Sequence, residues 1–201
     1  TPATDSAVAA FLNAATVTDN VDSAVTIEND AASTLALGAN LVTFTAVDAT
    51  GNTAVAVTST ITVADQTGPE VTAPAALTVA AVDATGTPAS AAAIVSFIAN
   101  ALAEDNVDAD VSVSSDAPEQ FALGATTVTF TAADAAGNSN TASAVITVVD
   151  QTAPVVTAPA NTLIAAVDAT GTAATETTMA ALLASASVAD NVDAALTLTN
   201  D

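Results

Sequence analysis

The chain has 201 residues, with 22 Asp and Glu side chains set against no Lys, Arg or His, a formal net charge of −22, while 51% of its residues are hydrophobic. An acidic disordered tail lacks that apolar content, and a chain with nothing to neutralise phosphate is unsuited to nucleic acid or to an anionic membrane surface. The absence of Cys and His removes disulfides, thiol nucleophiles and the usual zinc sites, and leaves Ser without an ordinary general base.

In chain order the first predicted element is a short helix. Val8, Phe11, Leu12 and Ala15 share one face at helical spacing, and Thr4 precedes them as an N-cap. Asp19-Asn20-Val21-Asp22 follows as an acidic turn. Phe44 then stands in a period-2 stretch, Val42 to Ala46, that reads as a half-buried strand. It runs to Asp48, a Gly51-Asn52 turn and a returning strand that ends near Val63, which makes a β-hairpin. Asp65-Gln66-Thr67-Gly68-Pro69 is a linker. Val71 to Pro74 and Leu77 to Val82 are short strand candidates, and Asp83 to Gly86 is a turn.

The series then begins again. Ser90 is the cap of a second helix with Ile94, Phe97, Ile98, Ala101 and Leu102 on one face. Asp105-Asn106-Val107-Asp108 returns 86 residues after its first occurrence. A strand runs through Val111 to Ser114. Val128, Phe130 and Ala132 alternate with Thr129, Thr131 and Ala133 up to Asp134. Gly137 and Asn138 make the turn, and Ala144 to Val148 is the return strand. Asp150-Gln151-Thr152-Ala153-Pro154 repeats the linker. A third pass supplies the Asp168 turn, Thr175 as cap, and Met179, Leu182, Leu183 and Ala186 on a helix. Asp190-Asn191-Val192-Asp193 then stands 85 residues after the second occurrence. Self-similarity at a fixed period is the signature of a repeat architecture. It divides the chain into residues 1–65, the C-terminal part of a repeat; 66–150, a complete repeat; and 151–201, the N-terminal part of a following one. Both ends fall within a repeat. The expectation is a longer parent chain, or ends that complement neighbouring subunits. Short strands, regular turns and one inserted helix predict a mainly β fold, a β-sandwich with a helical insertion, and short Pro-containing linkers favour a semi-rigid array.

The stretch Leu123-Gly124-Ala125, Val128 to Ala132, Asp134, Gly137-Asn138, the Ile146-Thr147-Val148 strand and the Asp150 to Pro154 linker resembles the hyalin-repeat (HYR) modules and is similar to bacterial immunoglobulin-like repeats. It covers the C-terminal half of each copy well. The helix and the Asp-Asn-Val-Asp segment match less tightly. Animal hyalin repeats carry cysteines and this chain has none, which points to the prokaryotic, adhesin-type relatives. The resemblance implies tandem immunoglobulin-like sandwiches, extracellular or cell-surface, with structural or adhesive roles and no catalysis.

The acids are placed, not scattered. Asp recurs at aligned positions 19/105/190, 22/108/193, 30/116/201, 48/134, 65/150 and 83/168, fifteen of the 22 acids, while none of the five Glu recurs. Ca²⁺ takes six to eight oxygens from carboxylates, amide oxygens and carbonyls. The candidate ligands are Asp105, Asn106 and Asp108 with Asp134 and Asn138; Asp19, Asn20 and Asp22 with Asp48 and Asn52; Asp190, Asn191 and Asp193; and Asp65 and Asp150 at the junctions. Bland readings stand beside this. Asp before Gly-Asn is an ordinary turn residue, the better explanation for Asp83 and Asp168 and an even one for Asp65 and Asp150. Salt adaptation would also raise acid content, though it would use Glu freely. The Asp105 and Asp108 pair, read as following a helix C-terminus where the macrodipole disfavours negative charge, favours a cation. The sequence thus predicts a calcium-stiffened stalk or fibre of a bacterial or archaeal surface adhesin or filament. Its partners would be neighbouring repeats or identical subunits, with an unspecified adhesive target. A glycan- or protein-binding module, and a subunit that polymerises by strand complementation, are the alternatives. An enzyme would have only paired carboxylates in short repeated turns, with no evident cleft.

Overall fold

A computed structural model describes residues 1–2, 4–173 and 177–199. It is mainly β, with several sheets and three short helices, and it falls into two compact units, Thr1–Thr67 and Gly68–Asp201.

The first unit opens with α1 (Ser6–Asn13). Its N-cap is Asp5, not the expected Thr4: the Asp5 carboxylate accepts the Ala7 N–H at 2.9 Å, and a carboxylate at a helix N-terminus also complements the dipole. Strands β1 (Thr26–Asn29), β2 (Gly38–Val47) and β3 (Val57–Val63) then form an antiparallel sheet in the order β1-β2-β3. Val42, Phe44 and Ala46 of β2 are buried on one face, Val8 of α1 is buried as well, and the Phe11 ring lies 6.1 Å from that of Phe44. The hairpin carries one extra residue. Phe44 pairs with Val57, but Ala46 accepts the N–H of Ala54, so Val55 and Ala56 together oppose Thr45. This bulge is the residue by which the two sequence spacings of 86 and 85 differ.

The second unit contains β4 (Glu70–Thr72), β5 (Leu77–Ala80), β6 (Thr87–Pro88), α2 (Ala92–Ala99), β7 (Leu102–Glu104), β8 (Val113–Ser115), β9 (Gln120–Phe121), β10 (Gly124–Ala133) and β11 (Ser139–Val149). Its main sheet runs β5-β11-β10-β8; all pairings are antiparallel except β5 with β11. Strict alternation along β10 and β11 turns Val128, Phe130, Ala132, Ala144, Ile146 and Val148 to one face. Ile94 and Phe97 of α2, Phe121 of β9 and Ala81 close over them. Each large side chain so buried contributes about 1.5–3 kcal/mol, which is how a chain rich in Ala and Val makes a core with few aromatic rings. The helix N-cap is Ala91, with no side-chain bond, and not Ser90; a turn from Pro88 to Ala91 leads in instead, the Ala91 N–H reaching the Pro88 carbonyl at 3.0 Å. The expected cap Thr175 lies outside the described residues.

One strand was not foreseen. Leu102–Glu104 is β7, antiparallel to β4, so Asp105 follows a strand and not a helix C-terminus. No helix C-terminal dipole therefore acts on Asp105 and Asp108, and none favours a cation there. Beyond Val149 the unit continues with β12 (Val155–Thr157), α3 (Thr177–Leu183) and β13 (Ser187–Ala189), β12 pairing with β13 as β4 pairs with β7. No helix among the described residues is long and apolar enough to cross a membrane.

Candidate metal centre

The aligned acidic turns adopt one local geometry. In each, the first Asp bends its carboxylate back over the next residues. Asp105 Oδ1 accepts the N–H groups of Val107 and Asp108 at 2.8 and 3.0 Å; Asp190 Oδ1 accepts those of Val192 and Asp193 at 2.8 and 3.0 Å; Asp19 Oδ1 accepts those of Val21 and Asp22, both at 2.8 Å. These backbone donors hold all three carboxyls below the ordinary carboxylate value, so they stay ionised.

The second Asp reaches the hairpin. Asp108 Oδ2 accepts the Ala135 N–H at 2.7 Å, and Asp22 Oδ2 accepts the Ala49 N–H at 3.0 Å. Each of those N–H groups directly follows the hairpin Asp, Asp134 or Asp48. Asp134 and Asp48 are clasped by the Asn four residues on, through the Asn backbone N–H and side-chain amide, all at 2.7 Å. Hydrogen bonds from the side chain and backbone of Asn52, with help from Thr50, lower Asp48 to about 2. Asn138 and Asn52 therefore turn their amide nitrogens to the carboxylate and fix the turn.

Two groups of carboxylates result in the second unit. Asp105, Asp108 and Asp134 bring one oxygen each within 4.8 Å of one another, and so do Asp150, Asp190 and Asp193. Asp150 also accepts the Thr152 N–H at 3.0 Å. In the first unit, Asp19, Asp48 and Asn52 line one small cleft, and Asp65 accepts the Thr67 N–H at 3.1 Å. Asn106 and Asn20 are exposed.

Asn191 was proposed as a ligand for its oxygen, but its amide nitrogen also has a role. Nδ2 donates to the carbonyls of Ala81 and Val82 at 3.0 and 3.3 Å, and the neighbouring Val192 packs against the core formed by β10 and β11. The acidic turn at Asp190 is thereby fastened to the preceding sequence copy. The Oδ2 atoms of Asp105 and Asp190 and the Oδ1 of Asn191 are buried without a hydrogen-bond partner. Unpartnered buried oxygens beside other carboxylates are costly unless a cation completes them, and no side-chain cation exists anywhere in the sequence. The donor set is all oxygen, the chemistry of a hard divalent ion. Two oxygens on opposite sides of a Ca²⁺ would stand roughly 4.6–5.2 Å apart, twice the metal–oxygen distance, so the observed spacing fits.

Other recurring Asp residues are turn formers. Asp83 and Asp168 accept the backbone and hydroxyl of Thr85 and Thr170 and are lowered chiefly by those hydroxyls. Asp116 and Asp30 accept the N–H of Thr129 and Thr43, both at 2.7 Å; their recurrence was visible in the sequence, but their strand-to-strand role was not.

Residues 64–148 match the family model of the HYR domain. That segment is thus similar to HYR domains, in agreement with its Gly-Asn hairpin and linker motifs, and modules of this kind are repeats of extracellular, adhesion-type proteins rather than an enzyme family. Among curated proteins none matches the chain.

Proposed function

We propose that this chain is part of the structural region of an extracellular surface protein, a stalk or fibre of tandem immunoglobulin-like sandwiches, in which Ca²⁺ binds at the acidic turns and stiffens the array. The observation that carries the reading is the pair of three-carboxylate groups at Asp105/Asp108/Asp134 and Asp150/Asp190/Asp193. At each, a buried Asp oxygen lacks a hydrogen-bond partner.

The second group supports a stiffening role most directly. Asp150 comes from the end of the complete sequence copy, whereas Asp190 and Asp193 come from the next. An ion shared among them would tie the two copies through all three carboxylates. Extracellular modules bind Ca²⁺ with Kd of roughly 10⁻⁴–10⁻³ M, a range that marine or body fluids would occupy.

Thermal melts in millimolar Ca²⁺, in EDTA, and in Mg²⁺ at matched ionic strength test the proposal. A rise in Tm specific to Ca²⁺ is expected. Equal melts in all three would remove the ion and leave the aspartates as turn formers.

A further inference from the structure

Asp150 directly follows strand β11, whose last residue is well anchored. Val149 pairs with Ala80 of β5, and its carbonyl accepts the Ala81 N–H at 2.8 Å. Ala81 is buried in the core, and Val82 is fixed by the turn that follows, its N–H reaching the Gly86 carbonyl at 2.9 Å. The carbonyls of Ala81 and Val82 are therefore a firm pair of acceptors, tied to the residue that precedes Asp150.

The acidic turn meets them from the next sequence copy. Asn191 Nδ2 donates to both carbonyls, at 3.0 and 3.3 Å, and Val192 packs against the core. Asp190 and Asp193 flank these two residues, so the contacts that seat Asn191 and Val192 also bring the two carboxylates to Asp150. The path closes on itself: Asp150 to Val149, Val149 to Ala81, Ala81 to Asn191, Asn191 to Asp190, and Asp190 back to Asp150 through the carboxylate group.

Within this ring the forces oppose one another. Three carboxylates within 4.8 Å repel, with no cationic side chain in the sequence to offset them. Asp190 Oδ2 and Asn191 Oδ1 are buried without a hydrogen-bond partner, which adds a cost. One amide and one valine hold the turn down against both terms. A divalent cation turns the repulsion into attraction and gives the Asp190 oxygen a partner.

We infer, resting on the Ca²⁺ site proposed above, that Asn191 and Val192 are the latch by which the ion controls this junction. Ca²⁺ binding at Asp150, Asp190 and Asp193 and docking of the turn on Ala81 and Val82 are one linked event. Asn191 is a positioning residue for the site: docking pre-arranges the carboxylates, and the ion in return holds the turn docked, each favouring the other by the same factor.

Amide NMR on the full chain, titrated with Ca²⁺ from a metal-free start, tests this. The Val82 and Gly86 amides belong to the acceptor turn and should shift with the same midpoint as those of Val192 and Asp193. Asn191→Ala should raise that midpoint roughly two- to tenfold, the worth of a net hydrogen bond. The Ala135 amide, which donates to Asp108 of the other carboxylate group, should keep its own midpoint. Val192→Ala leaves the amide in place and should raise the junction midpoint in the same direction. Val82 and Gly86 amides that stay still while Val192 and Asp193 move, or midpoints unchanged in both variants, would overturn the latch and leave the Ca²⁺ site standing. Val192 and Asp193 amides that ignore Ca²⁺ would remove the site and the latch together.

Discussion

The side-chain amide of Asn191 donates to the carbonyl of Ala81 at 3.0 Å, 110 residues earlier in the chain. One residue of the acidic turn thus joins two sequence copies through a direct hydrogen bond, while its oxygen lies buried without a hydrogen-bond partner.

Asn191→Ala removes the donor to both Ala81 and Val82 and also the buried oxygen. A net hydrogen bond is worth about 0.5–1.5 kcal/mol. In EDTA, hydrogen exchange around Ser187 to Asp193 should quicken by that amount of local stability, while the β10–β11 amides stay protected. Unchanged exchange near Val192 would mean that the apolar contact alone holds the turn.

Substitution of the first Asp of a turn should cost clearly more with metal than without it. Asp190→Asn and Asp105→Asn keep an Oδ1 for the turn and remove one charge from each group of three. In EDTA, Tm should fall modestly, because the backbone donors that lower Asp105 and Asp190 favour the ionised carboxyl in the folded turn. With Ca²⁺ at a hundredfold excess over Kd, one site contributes about 2.7 kcal/mol, and each variant should lose that share of the Ca²⁺-dependent rise. A loss of the same size in EDTA would show that the carboxylates serve only the turn.

Acid should loosen the hairpin turn of the first unit in a definite window. Asp48 is lowered from 3.8 to about 2 by Asn52. A carboxyl lowered on folding stabilises the native state above its unfolded value, and that contribution is lost as the pH falls from 3.8 through about 2. In Asp48→Asn the contribution is absent at every pH. Melts in metal-free buffer should therefore show a Tm difference from the unsubstituted chain that shrinks through this window. A difference independent of pH would assign Asp48 a purely steric role.

The hairpins and the helices were legible because their signals are local: period-2 alternation around Phe130, helical spacing around Phe97, Gly-Asn turns. The recurring Asp positions were legible from self-comparison alone. What the sequence hid depends on distant partners. Strand β7 is three residues long and exists through its pairing with β4. Asp116 bonds to Thr129 across strands, and Asn191 looks identical to Asn106 until its nitrogen meets Ala81. The helix caps failed for a different reason, since Asp5 was one residue nearer the helix than Thr4 and Ala91 is capped by no side chain.

The two Ala-Thr-Gly turns separate backbone strain from steric fit. Gly86 and Gly171 both have positive φ, +110° and +107°, a region that costs an L-residue roughly 1–2 kcal/mol. A Cβ on Gly171 meets no heavy atom within 4 Å, whereas one on Gly86 would stand 1.9 Å from the Phe121 carbonyl oxygen and 2.9 Å from Ala122 Cα. Both obstacles are backbone, and Phe121 is in the centre of the core, so neither can yield without moving β9. Gly171→Ala should therefore lower stability by about 1–2 kcal/mol, read from urea unfolding. Gly86→Ala should lower it by clearly more, with greater exposure of Phe121 seen as faster exchange at β6 and β9. Equal losses at the two glycines would mean that β9 shifts freely, and the packing of Phe121 against Gly86 would then be looser than the 1.9 Å approach requires.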